Sequence, residues 1–344
     1  MVNNNSINQS PKLEWIDWMK TFGIYLIILG HFFSIGEAFV YVFSVPLFFI
    51  ISGFLCKKEN DKKTFWKKLW YNLIVPMLII TTINFAYHFI ILIIHGTFNY
   101  YELFIFLRNL VIGLHGGLYL GVGVCWFIYT LVILKVIYQY CPNSYFFYLL
   151  GGLLLGIAYI YNHLDLSGIF TYKLSNSIVN VCTAYPFFAI GVYAKNYRDY
   201  CNMFKNKAIL GLVLIICIFV VYLCEHYNEH IWMDCCDYGS NLFLFLLGGI
   251  AGSICIFVLS KFMGHASKAV TIISRGTILI LGFHMPFVKL LRQFFNVSFL
   301  DFIFAAIILL VFIPIILFAE RFFPLIIGKY RMKQRLTSVP NTQE

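Results

Sequence analysis

A single all-α bundle, polytopic in a membrane, is the fold class this sequence predicts, and three observations predict it. Hydrophobic residues fill 61% of the 344 positions and charged residues only 12%, about half the charged share of a soluble domain. The apolar residues fall into about ten runs, each near the roughly 20 residues a helix needs to cross a bilayer. The lysines and arginines collect in alternate connecting segments, as the positive-inside rule requires. The same composition excludes a disordered chain and a nucleic-acid-binding domain, which need far more charge. The 37 Phe and 23 Tyr suit lipid-facing surfaces and interfacial rings.

The elements follow in chain order. Residues 1–14 are polar and read as a cytosolic N-terminus. The first span, 15–36, is too long for the apolar part of a signal peptide and lacks a small-residue cleavage pattern, so it stays as a helix. The second, 39–56, contains Pro46 and the pair Ser52-Gly53, small residues that let another helix approach closely. A basic cytosolic segment, 57–68, interleaves six lysines with Phe65 and Trp66 and reads as an amphipathic helix on the bilayer surface. The third span is 69–95, with Pro76. The run 102–118 is short and ends in glycines, which predicts a re-entrant or interfacial piece. Spans four to six are 121–141, 144–163 and 176–195, the last with Pro186. The seventh (208–224) and eighth (242–262) flank a lysine-free loop, 225–237, that holds Glu225, Glu229, Asp234 and Asp237. The ninth (270–291) holds His284 and Pro286, the tenth (299–324) holds Pro314, and 325–344 is a basic cytosolic tail. Prolines inside spans free carbonyls that a neighbour must satisfy or that line a cavity.

An even number of spans puts both termini on one side. With the N-terminus in the cytosol, only Arg108, Lys173, Lys289 and Arg292 of the 25 lysines and arginines fall outside. The +10 net charge therefore reads as an orientation signal, and the inner lysines can meet anionic lipid headgroups or an anionic cosubstrate. Ten cysteines form no CxxC pair; most sit in apolar runs as small hydrophobes, so no metal site is expected. Only the adjacent Cys235 and Cys236 leave a disulfide open. No composition break or repeat separates a second domain, and 1–344 reads as one.

Ionisable side chains inside spans are costly and face a cavity or a partner. Asp17 and Lys20, three residues apart, share a face near the inner surface. His31 lies eleven residues past Lys20, three turns plus roughly 20°, on the same stripe some 16 Å further along. A neutral imidazole at that depth can take a proton from an alcohol and return it, the work of a general base. The plain alternative is a hydrogen-bonded packing histidine. His284 stands near mid-membrane in the ninth span, whereas His88, His95 and His115 read as interfacial or structural. Lys63, Lys67 and Lys68 could pair with the pyrophosphate and ribose phosphate of a cytosolic cosubstrate.

Five motifs run in order over nearly the whole chain: Trp15-Ile16-Asp17 through Leu29-Gly30-His31, Pro46 through Leu55, Trp126-Phe127, Tyr185-Pro186-Phe187-Phe188 with Gly191, and Ser274 through Pro286. Together they resemble membrane acyltransferase family 3, in particular its branch resembling fucose-4-O-acetylases. The first is similar to the family's first-helix signature, a basic residue, ten residues, then histidine, with Lys20 where much of the family has arginine and its bidentate fork. Leu69 and Asn72 stand where the family often carries an Arg-x-x-Arg pair. The resemblance implies an O-acetyltransferase of the bacterial cytoplasmic membrane. It would move an acyl group, most simply acetyl from cytosolic acetyl-CoA, to a hydroxyl of a cell-surface or lipid-linked saccharide. In that reading His31 is the general base, His284 helps or orients it, and Lys20 stabilises negative charge. Ser52, Trp126, Lys63, Lys67 and Lys68 would contact the acyl-CoA. The competing class is a proton-coupled transporter or flippase, which also needs intramembrane ionisable groups and kinked helices. A scaffold without chemistry is a third.

Overall fold

The computed structural model describes residues 13–33, 36–97, 99–112, 125–163, 172–197, 206–295 and 298–329. It is all-helical, 85% helix, with no strand among the described residues. The first helices are α1 (Glu14–Gly30), α2 (Glu37–Tyr41), α3 (Ser44–Leu55), α4 (Lys62–Leu69), α5 (Val75–Ile94), α6 (Tyr100–Ile112) and α7 (Cys125–Tyr140). After them come α8 (Ser144–His163), α9 (Tyr172–Ala194), α10 (Lys207–Asn228), α11 (Leu242–Met263), α12 (Lys268–Arg275), α13 (Thr277–Phe294) and α14 (Asp301–Phe322). Among the described residues six helices are long and apolar enough to cross a membrane, or seven if one bent pair is a single span. The sequence suggested about ten runs. Two of the expected spans are short: α1 has 17 residues and α7 has 16, about 25 Å against a hydrocarbon core of roughly 30 Å. The termini at 1–12 and 330–344, together with 113–124, His115 and the loop cations Arg198 and Lys205, lie outside the described residues.

α1 is the central element, in contact with α3 and with α11 to α14. Its first half places Ile16 and Met19 in a cluster with Ile51, Phe187 and Phe245. Its second half places Ile24, Ile27 and Ile28 in another with Ile280 and Phe312. α3 and α9 meet backbone to backbone. A Cβ on Gly53 would lie 2.0 Å from the Phe188 carbonyl oxygen, and one on Gly191 would lie 2.0 Å from that of Ile50. Two of the sequence motifs thus meet each other, and the small-residue reading of Ser52-Gly53 holds at Gly53.

Three expectations are corrected. The first helix stops at Gly30 rather than running to 36, so His31 caps it instead of lying inside it. The Tyr41 hydroxyl donates to the Gly30 carbonyl at 3.1 Å, meeting one of the acceptors a helix end leaves open, and Phe33 turns the chain with φ 49°. The basic segment is not a separate surface helix: α4, a π turn at Trp70–Ile74 and α5 form one helix of 33 residues, about 50 Å long. Asp61 caps its start, accepting from the Lys63 and Thr64 amides at 3.2 and 2.8 Å. Finally, the ninth span is broken, with α12 and α13 meeting at 87°. The break falls at Gly276, where a Cβ would lie 2.3 Å from Ile316. It does not fall at Pro286, which sits within α13.

Among the described residues, several of the cations predicted to share one side bind groups at neighbouring helix ends. Lys58 Nζ donates to the Cys141 carbonyl and Lys195 Nζ to that of Cys56, each at 2.6 Å. Glu320 pairs with Arg275 at 3.3 Å and also with Lys329. Arg292, predicted for the other side, pairs with the fully buried Asp301 at 3.0 Å and donates to the Phe32 carbonyl.

Candidate active site

A cavity of about 700 Å³ opens between α1, α3, α5, α7 and α13. α1 presents Lys20, Ile24, Ile27 and His31 to it, residues spaced four, three and four apart, which is one face of a helix. The stripe read from the sequence is therefore the stripe that lines the cavity. Its wall extends from Lys20, Ser52 and Lys135 at the cation-rich end, past His31 and His284, to Trp232, Asp234 and Lys289 at the other.

The two histidines are built alike. His31 Nδ1 lies 2.6 Å from the Ile27 carbonyl oxygen, and His284 Nδ1 lies 3.0 Å from those of Ile280 and Leu281. A carbonyl can only accept, so each neutral ring carries its proton on Nδ1 and its lone pair on Nε2. The rings meet edge to face with centroids 4.8 Å apart. His284 is buried, and its Nε2 has no hydrogen-bond partner among the described residues, a costly state for a buried polar atom unless it serves a purpose. The Tyr41 ring stands edge-on to His31 at 6.4 Å.

Local sequence explains the positions. Pro286 has no N–H, so the Gly282 carbonyl loses its helical donor; Asn84 Nδ2 on α5 supplies one instead, at 2.9 Å. That bond ties α5 to the turn of α13 that carries His284. Asp17 accepts from the Ser274 hydroxyl at 2.6 Å, fixing α1 to α12 one turn before Lys20.

Of the residues singled out in the sequence, Lys20, His31, Ser52, Trp126 and His284 share the cavity. Lys63, Lys67 and Lys68 are not among its lining residues; they stand on exposed α4, where Lys68 pairs with Glu59 at 2.7 Å. α4 carries them away from the cavity because it prolongs α5. Several lining residues escaped the sequence reading, Tyr41 and Gln293 among them. Lys135 and Asn84 are polar groups within apolar runs, the signal that flagged His31, and His88 was set aside as interfacial. Trp232 lies in a loop without periodicity. Cys235 and Cys236 form no disulfide; burial pushes their thiols up to about 11 and about 12, so neither is a thiolate at neutral pH. Among the described residues no cluster of His, Cys, Asp and Glu is placed to hold a metal ion.

The arrangement joins two imidazole lone pairs in an apolar chamber to ammonium groups at one end, which equips it for proton transfer beside a stabilised negative charge. No curated protein and no solved structure matches the chain. The family model for the acyltransferase domain matches residues 13–319, nearly the whole chain and every cavity-lining position named above. The chain therefore belongs to acyltransferase family 3 and is a membrane acyltransferase by that membership.

Proposed function

We propose that the chain is an O-acyltransferase of the bacterial cytoplasmic membrane, in the fucose-4-O-acetylase-like branch of its family. It moves an acyl group, most simply acetyl from cytosolic acetyl-CoA, to a hydroxyl of a cell-surface or lipid-linked saccharide. The observation that carries this reading is the His31–His284 pair, edge to face at 4.8 Å in the wall of a lengthwise cavity. The donor enters at the end that bears Lys20 and Lys135, with Ser52 and Trp126 along its path. Lys63, Lys67 and Lys68 on α4 raise the local concentration of the anionic donor at this end.

His31 Nε2 takes the proton of the acceptor hydroxyl as the hydroxyl oxygen adds to the thioester carbonyl. The tetrahedral intermediate carries the negative charge until it collapses, while Lys20, about three turns back along α1, stabilises the anionic donor that delivers the thioester. The intermediate collapses with cleavage of the C–S bond, and the imidazolium returns the proton to the thiolate, leaving an ester and free CoA. His284 Nε2 steadies the imidazolium in between. A supplied general base contributes about 10²–10⁴-fold in rate. His31→Gln should therefore cut transfer of label from radioactive acetyl-CoA to the saccharide fraction by at least about 100-fold, with unchanged yield in the membrane. Undiminished labelling by that variant would remove His31 from the chemistry. Solute flux in proteoliposomes without any CoA would favour a carrier instead.

A further inference from the structure

The acyltransferase reading leaves the acceptor without a binding place, and the end of the cavity opposite Lys20 is built as one. Its wall there is the segment Ile231 to Asp234 together with Tyr41, Lys289 and Gln293. This loop is held as a rigid wall rather than a movable flap. Trp232 and Asp237 exchange backbone hydrogen bonds at 2.8 and 3.1 Å. Asn228, fully buried, donates from Nδ2 to the Tyr238 carbonyl at 2.8 Å and accepts at Oδ1 from the Asn241 amide at 2.6 Å. The Tyr238 hydroxyl, also fully buried, donates to Asn180 Oδ1 at 2.9 Å and accepts from Thr183 at 3.1 Å, pinning the loop to α9. Gly239, at φ 77°, passes so close that a Cβ would lie 1.9 Å from the Asn228 carbonyl oxygen.

What this rigid frame presents is chemically specific. Trp232, 39% exposed, offers a flat apolar face at the mouth, with Phe33 beside it at 6.3 Å. Asp234, Lys289 and Gln293 offer a carboxylate, an ammonium and an amide, which together can accept from and donate to neighbouring hydroxyls. Opposite charges on Asp234 and Lys289 leave the mouth without the cationic excess that a CoA phosphate requires. An aromatic platform ringed by a few convergent polar groups suits a ring with one apolar face and an equator of hydroxyls. Fixing the platform in advance lowers the ordering cost of binding.

We infer that this mouth is the acceptor subsite, that it takes a pyranoside ring stacked on Trp232, and that Asp234 holds two of its hydroxyls while a third faces His31. The inference rests on the acyltransferase reading of the same cavity. The test uses the full-length protein in nanodiscs, radioactive acetyl-CoA, and the methyl glycosides of glucose, galactose, N-acetylglucosamine and fucose. Trp232→Ala and Asp234→Asn should each raise KM for the accepted glycoside at least tenfold and leave KM for acetyl-CoA within twofold. Trp232→Tyr, which keeps a platform and guards against misfolding of the alanine variant, should stay within threefold of the parent. An unchanged glycoside KM, or a parallel rise in the acetyl-CoA KM, overturns the assignment. His31-dependent release of CoA in native membranes with no glycoside labelled overturns the saccharide subsite alone; absence of any His31-dependent CoA release overturns the transferase reading with it.

Discussion

Asn84→Leu removes the side-chain donor at the Gly282 carbonyl, 2.9 Å away, while nearly conserving volume. Because position 286 is proline, nothing along α13 can replace that donor. An orphaned buried acceptor costs about 1–3 kcal/mol in soluble proteins, whereas side-chain hydrogen bonds in membranes average about 0.6 kcal/mol with a maximum near 1.7. Asn84 is half-buried on the cavity wall, so water partly compensates, and about 1 kcal/mol is expected. The bond can be distinguished from mere packing by restoring the helical donor. Pro286→Ala places an N–H four residues after Gly282, so Asn84→Leu should cost less than half as much in that background. Equilibrium unfolding of the four proteins in mixed micelles, followed by tryptophan fluorescence, gives the coupling energy. An equal cost of Asn84→Leu in both backgrounds would refute the claim that this bond replaces the one proline removes.

Two further outcomes are expected. Gly191→Ala places a methyl 2.0 Å from the Ile50 carbonyl oxygen, far inside ordinary contact, so α3 and α9 must part; overpacking of this kind costs about 1–3 kcal/mol or more. It should lower the thermal midpoint in detergent, whereas Gly211→Ala, with nothing within 4 Å of the added carbon, should leave it unchanged or raise it. The Asp61 carboxyl is held below its ordinary value of 3.8 by the hydrogen bonds from the Thr64 hydroxyl and amide and the Lys63 amide. A depressed folded value means the cap is fully present above 3.8 and lost as pH falls through the lower one. A spin label at Lys67 should therefore gain mobility on acidification in the parent, and Asp61→Asn, which caps without titrating, should abolish that dependence.

The parts of the site legible in the sequence are those governed by helix geometry and by the cost of polar groups in lipid. Lys20 and His31 share the cavity because an eleven-residue interval returns to one face, and His284 stood out because an imidazole inside an apolar run needs a reason. Other parts depend on distant partners. Gly276 reads as one tolerated glycine in an apolar run; only Ile316, from another helix, shows why the chain must break there. The end of α1 is hidden because the run stays apolar through Phe33, so the turn depends on Tyr41 reaching the Gly30 carbonyl. The lysines of α4 looked suited to phosphate, but their direction follows from how the π turn joins α4 to α5. Trp232 has no periodic pattern around it, and its place at the cavity mouth comes from Asn228 and Tyr238.

The central place of α1 has a consequence for biogenesis. Apart from α2 and α3, its main neighbours are α11 to α14, which follow it by more than 200 residues. Nascent α1 therefore waits among provisional companions, with its ammonium and imidazole already committed to the bilayer, until those helices have been made. A polypeptide released early has no ring to set against His31. The His31–His284 contact therefore forms only once α13 has joined α1.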